Sequence, residues 1–439
     1  MKKVLVLGAG LVAGPLVRYL LNVDEFTVTV ASRTVAKAET LIGGAGNGIA
    51  LSLNVKDEEA LEALIADHDL SISLLPYVYH PTVARLCVKH RKQMVTTSYV
   101  KPEMQALDAQ AKEAGVILLN EVGVDPGIDH MSAMEVIHQI AEKGGKLVSF
   151  ASNTGGLPAP EANDNPFGYK FSWAPRGVVM AGKNPAKFLK EREVVDVPGP
   201  ELFAYHWPCE IKGFGELEVY PNRDSMPYVD TYGIPTVTSM FRGTLRYPGW
   251  CETLKTIVDL GLLDETERDD IGCLTYGQLL ARLIESDGAD LKSDLAEFLG
   301  IGADCEPINK LEWLGLLSHE AIPAADNTYL DVVASRMLAK MEYAPGERDM
   351  LVMQHEFVAK YPDRTEKTTA TMVDYGIPNG DSSMSRLVGL PAAVAARMIL
   401  QGEINLTGVH VPMIAEIYEP VLAELASMGI SFTETVETL

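Results

Sequence analysis

The chain has 439 residues, enough for two or three domains and a large core, and its 47% hydrophobic and 22% charged content is that of an ordinary globular protein. Sixty acidic residues against 37 basic give a net charge of −23, which argues against nucleic acid or an anionic membrane as a partner. The five scattered cysteines (Cys87, Cys209, Cys251, Cys273, Cys305) form no CxxC pair and the nine histidines include no HExxH, so neither a disulfide framework nor a metal site is expected, which fits a reducing, cytoplasmic setting.

The chain opens on a short apolar run, Lys2 to Leu7, which leaves no room for a leader peptide, and no apolar run reaches membrane-spanning length. Gly8-Ala9-Gly10-Leu11-Val12-Ala13 follows, then a helical apolar pattern at Leu16, Leu20 and Leu21. A second strand pattern, Thr27 to Ala31, closes on Ser32-Arg33-Thr34. Together these read as a βαβ unit whose first turn seats a dinucleotide pyrophosphate at a helix N-terminus. Gly8 permits the tight turn, Gly10 lets the backbone approach phosphate oxygens, and Ala13 is small enough for the helix to pack on the strand. An NAD-selective site places a carboxylate after the second strand, where it would repel a 2′-phosphate. Here Ser32, Arg33 and Thr34 offer donors instead, with Lys37 a turn on, and NADP is the expected cofactor, NAD the weaker alternative.

Alternating strand and helix patterns continue to Glu121. Strands are expected at Gly48–Val55, Leu70–Leu75, Gln93–Thr97 and Val116–Leu119, with helices at Asp57–Ala66, Pro81–Lys89 and Pro102–Ala114. The turn Pro76-Tyr77 would cross the cofactor. This is a Rossmann, doubly wound α/β sheet. The loop Val122 to His130 then compresses two carboxylates, a proline, two glycines and a histidine ahead of a helix over Met131–Glu142; Asp125 is the functional candidate, while Asp129 and Gly127 fit capping and a positive-φ turn.

Beyond Lys146 the pattern turns β-like at Leu147–Ala151, Glu216–Tyr220, Met350–Val358 and Glu366–Val373, the last two joined by a hairpin turn at Tyr361–Arg364. Loops are expected at Gly155–Glu161, Asp164–Trp173 and Tyr220–Ser225. Helical spacing at Leu279, Leu280, Leu283, Ile284, Leu291, Leu295, Phe298 and Leu299 marks a small helical insert, and helices over Leu390–Leu400 and Met413–Met428 return to flank the first sheet. The expected division is residues 1–124 with 386–439 for nucleotide binding, 125–250 with 335–385 for an α+β mixed-sheet substrate and dimerisation domain, and 251–334 for the insert. Arg176, Arg223, Arg242 and Arg246 lie in aromatic-rich stretches of an acidic protein, which suggests a pocket gripping carboxylates, with an internal ion pair the equal alternative for any one of them.

The motifs GAGLVAGPL, ASRT, SLLPY, TTSYV, NEVGVDPGIDH, GGLPAPEANDNPFGYKFSWAPRG, YPNRDS, RGTLRYPGW and VGLPAAVAARMIL resemble the glutamate-forming, NADP-dependent saccharopine dehydrogenase family from one end of the chain to the other. The resemblance implies an oxidoreductase of lysine metabolism interconverting saccharopine, NADP+ and water with L-glutamate, 2-aminoadipate 6-semialdehyde and NADPH, by hydride transfer at the C–N bond and imine hydrolysis or formation. It implies a homodimer. It also implies that Leu11, Val12, Asn54, Val55, Leu75 and Val124 join the cofactor residues above. Ser98, Tyr99 and Asp125 would lie beside the reacting nitrogen, Asp125 and Tyr99 handling protons, while Arg223, Thr244 and Arg246 hold carboxylates. The family places a cysteine where this chain has Thr154, which puts a thiol's part in the acid–base work in question, and Asn54 stands where an aspartate is common. An imine-reducing dehydrogenase of the carboxynorspermidine or opine type, and a silent NADP-binding sensor, stay open as rivals.

Overall fold

The computed structural model describes residues 1–172 and 175–439, so Trp173, the end of the expected loop Asp164–Trp173, lies outside the described residues. Two compact units divide the chain: Met1–Gly144 with Gly380–Thr433, and Gly145–Asn379 with Glu434–Leu439. The first unit runs past the expected boundary at 124 because the helix Ile128–Glu142 packs on the helix Ala415–Ser427, with His138 Nδ1 2.8 Å from the Tyr418 hydroxyl.

Strands β1 (Lys2–Leu7), β2 (Phe26–Ser32), β3 (Gly48–Ser52), β4 (Leu70–Ser73), β5 (Gln93–Thr96) and β6 (Ile117–Leu119) alternate with helices as the periodicity predicts. The expected helix over Pro102–Ala114 is two, Pro102–Gln105 and Asp108–Ala114. In the second unit follow β7 (Lys146–Pro158), β8 (Ala186–Lys190), β9 (Glu193–Val197), β10 (Trp207–Ile211), β11 (Gly215–Pro221), β12 (Ser239–Arg246), β13 (Asp349–Lys360) and β14 (Thr365–Tyr375). The last strands are β15 (Gly408–His410) and β16 (Thr433–Thr438).

The first sheet is parallel throughout, in the order β15-β6-β5-β4-β1-β2-β3. The chain winds outward from β1 to β3 and then crosses back to β4, so the order reverses between β1 and β4. That switch point is where open α/β sheets bind ligands at their carboxyl ends. β15 adds a seventh strand that the sequence reading did not contain; three residues are too few to carry a period. The helix Ser383–Gln401 starts seven residues before the expected Leu390, because Ser382 caps it through the Ser385 amide (3.0 Å) and Pro391 sits inside it. Gly389 brings it against the helix Ala13–Leu21: a Cβ there would meet the Val12 carbonyl oxygen at 2.7 Å. By length and composition this helix could cross a membrane, which corrects the expectation that no run was long enough; most of it is buried in the fold.

The second sheet is mixed and nine-stranded, in the order β10-β11-β12-β7-β13-β14-β16 with β8 on β12 and β9 on β8; β7 and β12 pair in parallel, whereas β10–β11, β11–β12, β12–β8, β8–β9, β7–β13 and β13–β14 are antiparallel. The helices Trp250–Asp259, Tyr276–Leu283, Leu291–Leu299, Glu306–Leu314 and Tyr329–Lys340 share one core with it, Trp250, Leu254 and Leu311 packing together with Leu217, Leu245 and Val352. Gly155 to Pro158 is central strand, not loop. β7 runs through it because Gly155 has no Cβ to strike the Leu245 carbonyl oxygen, which would stand 2.6 Å away. Replacing Gly155 by valine forces these strands apart and costs about 1–3 kcal/mol in a denaturant titration followed by circular dichroism; an unchanged midpoint refutes the close approach.

Candidate functional site

In the first unit the sequence-predicted residues gather along one edge. Gly8, Gly10, Leu11 and Val12 follow β1, with Ala13 opening the next helix; Ser32 ends β2, with Arg33 and Thr34 beyond it. Asn54 and Val55 follow β3, Leu75, Pro76 and Tyr77 follow β4, Ser98 and Tyr99 follow β5, and Val124 and Asp125 follow β6. Each parallel strand thus delivers its candidates to the same carboxyl edge, on both sides of the switch point.

The residues fit a phosphorylated dinucleotide. Gly8 adopts φ +113° and its missing Cβ leaves room for the Leu74 carbonyl oxygen 3.1 Å from where it would stand, while nothing lies within 4 Å of the corresponding point on Gly10. Leu11, Tyr77 and Val78 are exposed apolar side chains along this edge, surface that a bound ligand would cover. Arg33 and Lys37 are exposed, and neither has an ion-pair partner among the described residues. A free guanidinium beside two hydroxyls is a donor set for a 2′-phosphate.

Around β5 and β6 the polar groups are tied together. The Tyr99 hydroxyl donates to Asp125 Oδ1 (3.2 Å), and the peptide Asp125-Pro126 is cis. Gly127, at φ +146°, takes the turn as expected and donates its amide to Asp129 Oδ1 (2.6 Å); Asp129 is not the cap, because the helix begins at Ile128 with Gly127 as its N-cap, and it fixes the loop from within the first turn. Three residues the sequence reading gave no role complete the network. Glu121 accepts from the Val100 amide (2.8 Å) and stands 2.9 Å from His130 Nε2, clamping the Tyr99 segment to the helix Ile128–Glu142. His80 bridges Ser73 and Ser98 with contacts of 2.9 and 2.8 Å. Burial pushes its pKa down to about 4, so its ring is neutral at neutral pH. No local periodicity marks such residues; their partners come from other strands.

The second unit carries the arginines, and they divide. Arg176 pairs with Asp331 and with Glu265 (2.9 Å), so it is an internal ion pair and not a ligand group. Arg242 is buried over the Tyr228 ring, 4.3 Å from its centroid. Arg223 is exposed, makes no ion pair among the described residues, and is held at φ +55° by the turn that joins β11 to the next segment. Such backbone strain in a non-glycine residue collects at functional positions. Arg246 stands out most. It is only 5% exposed, walled by the rings of Tyr169 (5.0 Å), Trp250 (5.5 Å) and Tyr220 (5.9 Å). Nη1 donates to the Leu245 carbonyl (2.7 Å), Nε has no partner, and among the described residues no carboxylate lies within ion-pair distance. Its strand neighbour Glu218 is spent on the amides of Gly249 (3.0 Å) and Cys251 (2.6 Å). Thr244 pairs in register with Thr154 of β7, whose buried hydroxyl is also unpartnered.

Two family models cover nearly the whole chain: the saccharopine dehydrogenase NADP-binding domain matches residues 4–119, and the saccharopine dehydrogenase C-terminal domain residues 123–430. The NADP-dependent, L-glutamate-forming saccharopine dehydrogenase of Schizosaccharomyces pombe is 42% identical over 99% of this chain and 99% of its own. The Saccharomyces cerevisiae enzyme of the same name is 40% identical over 97% of this chain and 96% of its own. The mitochondrial alpha-aminoadipic semialdehyde synthase of Bos taurus is 42% identical over 98% of this chain, which spans 47% of that longer protein. A solved apo structure of the L-Glu-forming saccharopine dehydrogenase from Saccharomyces cerevisiae superposes with a TM-score of 0.92 at 38% identity, covering 100% of both chains. Replacing Arg33 by alanine weakens NADPH binding roughly tenfold or more and NADH binding little, by nucleotide fluorescence titration; equal losses would take the 2′-phosphate contact away from Arg33.

Proposed function

The chain belongs to the saccharopine dehydrogenase family, and on that premise we propose that it interconverts saccharopine, NADP+ and water with L-glutamate, 2-aminoadipate 6-semialdehyde, NADPH and a proton. The observation that carries this reading is the buried Arg246 guanidinium, which has no carboxylate of its own among the described residues. A buried charge left unpaired is costly, and a substrate carboxylate supplies the missing partner. Saccharopine is a secondary amine with three carboxylates. Arg246, Thr244 and the exposed Arg223 are the groups to receive them; in a protein of net charge −23 such cations must act locally, against the overall field.

Bound NADP supplies the redox step, accepting or returning the hydride. The chain's own residues orient the substrate and move protons. Ser98 and Tyr99 hold the region of the reacting nitrogen, and the Tyr99–Asp125 hydrogen bond is a path already in place for a proton passing to or from that nitrogen or an attacking water. Thr154 cannot supply a thiolate, so this pair carries the acid–base work. A polyamine-type substrate would call for carboxylates where Arg246 stands, which counts against that rival. Arg223→Ala raises the saccharopine KM roughly 10- to 100-fold with NADP+ binding unchanged, since a charge-assisted bond is lost. An unaltered KM removes Arg223 from the substrate.

We also read the chain as a homodimer. The second sheet carries a cavity of about 840 Å³ lined by Phe188, Trp207 and Phe241 together with lysines and glutamates, and Tyr205, Trp207 and Val194 are exposed there or beside it. Apolar surface of this kind is what an interface covers. Trp207→Glu then yields monomers in sedimentation velocity at concentrations where the unaltered chain dimerises; a mass unaffected by the substitution, or a monomeric parent, refutes this face as the contact.

A further inference from the structure

His80 belongs to no dinucleotide motif, yet it is buried with both ring nitrogens on hydroxyls. It opens the helix His80–His90. Nδ1 lies 2.9 Å from Oγ of Ser73, the last residue of β4, and Nε2 lies 2.8 Å from Oγ of Ser98, two residues past β5. The ring is 4% exposed, and burial holds its pKa near 4, so it carries one N–H and one lone pair.

That single proton sets the direction of both hydrogen bonds. With the proton on Nδ1, Ser98 must donate to Nε2 and can offer only lone pairs elsewhere. With it on Nε2, the ring donates to Ser98, Ser73 donates to Nδ1, and the Ser98 proton is free. Thr96 decides between them. Its hydroxyl donates to the Ser73 carbonyl (2.9 Å), so toward Nε2, at 3.4 Å, it can only accept; its remaining approach comes from the Ser98 amide, also at 3.4 Å. Two oxygens able to accept at Nε2 fit an N–H there.

We propose that His80, as the Nε2–H tautomer, is a positioning residue that presents Ser98 as a hydroxyl donor to the substrate carboxylate borne by the carbon next to the reacting nitrogen, beside whichever of Arg246, Thr244 and Arg223 receives it. The inference rests on the reading of Ser98 as a substrate contact. An ionised carboxylate only accepts, so Ser98 held with its lone pairs outward would repel it, and a freely rotating Ser98 would lose part of the bond to entropy.

The test is steady-state kinetics with saccharopine and NADP+ on the full chain, with NADPH binding as the check on folding. His80→Leu raises the saccharopine KM about tenfold while the NADP+ KM and NADPH affinity stay put. His80→Gln, whose amide nitrogen reaches the Nε2 position, restores the KM to within about threefold; His80→Asn, reaching only the Nδ1 position, does not. In a Ser98→Ala background His80→Leu has no further effect. A rise in both KM values, a glutamine variant as poor as leucine, or a full leucine effect persisting without Ser98 overturns the proposal and makes His80 a structural residue. Should His80→Leu fail to bind NADPH, Ser73→Ala takes its place: it frees the tautomer and raises the saccharopine KM alone, and no change refutes the relay. Ser98→Ala separates the two readings. If it leaves the saccharopine KM unaltered, the substrate contact itself is wrong; if it raises the KM while the His80 variants do not, only the positioning role fails.

Discussion

A guanidinium taken out of water with no carboxylate beside it is among the least favourable arrangements a fold can keep, and the second unit is built around one. Arg246 lies at the end of β12 with its side chain among Tyr169, Tyr220 and Trp250. Stacking on ring faces returns part of the lost hydration, about 0.5–2 kcal/mol per contact, but it leaves most of the guanidinium's donors unspent. The obvious internal partner, Glu218, stands opposite Arg246 in register on the neighbouring strand but is spent elsewhere: its oxygens accept from the Gly249 and Cys251 amides at the start of the helix that begins at Trp250. The architecture thus withholds the internal anion, and an external carboxylate is the partner proposed above. Arg176, far earlier in the chain, shows the opposite outcome, since Glu265 and Asp331 each pair with one of its terminal nitrogens.

The two units divide the chemistry in the way their sheets allow. A parallel sheet presents all its carboxyl ends on one edge, so the loops after β1 to β6 gather there from distant points of the sequence, the Tyr99–Asp125 pair among them. A mixed sheet instead places alternate residues of neighbouring strands side by side, which is how Thr154 of β7 and Thr244 of β12 come into register. Residues 380–433 return to the first unit and residues 434–439 to the second, so each unit is closed by chain from the far end.

The first unit was legible because its signals are local. The apolar period, the glycine turn and the missing acidic residue after β2 all lie within one βαβ unit, and the strand ends that carry the cofactor candidates follow from them. What stayed hidden is long-range. Gly155 to Pro158 reads as loop by composition, but the strand runs on because the Leu245 backbone needs the space a side chain would take. Pro391 reads as a helix start, yet the helix begins at the Ser382 cap and its burial against the first helix tolerates the proline. The four arginines look alike in sequence; acidic residues about 90 and 155 positions away separate Arg176 from Arg246. The histidine relay has no period at all, only a strand order that brings Ser73 and Ser98 to either side of one ring.

The replacement of a family cysteine by Thr154 gains its meaning from this geometry. A threonine hydroxyl does not ionise near neutral pH, so it can orient but cannot store a proton. Asp125 can, and it already holds the Tyr99 hydroxyl. The reaction releases or takes up protons at a nitrogen and at a water, both of which need a group that changes its protonation within each turnover. Of the candidate residues named in the two units, Asp125 and Tyr99 are the two whose ordinary chemistry permits this and which are already joined by a hydrogen bond. The buried thiols offer no substitute: Cys251, beside Glu218, is driven far above its ordinary pKa by burial and then by that carboxylate, and stays protonated. On the reading proposed above, a chain with threonine in this position leaves its proton traffic to the loop after β6, the same loop whose cramped carboxylates first marked it.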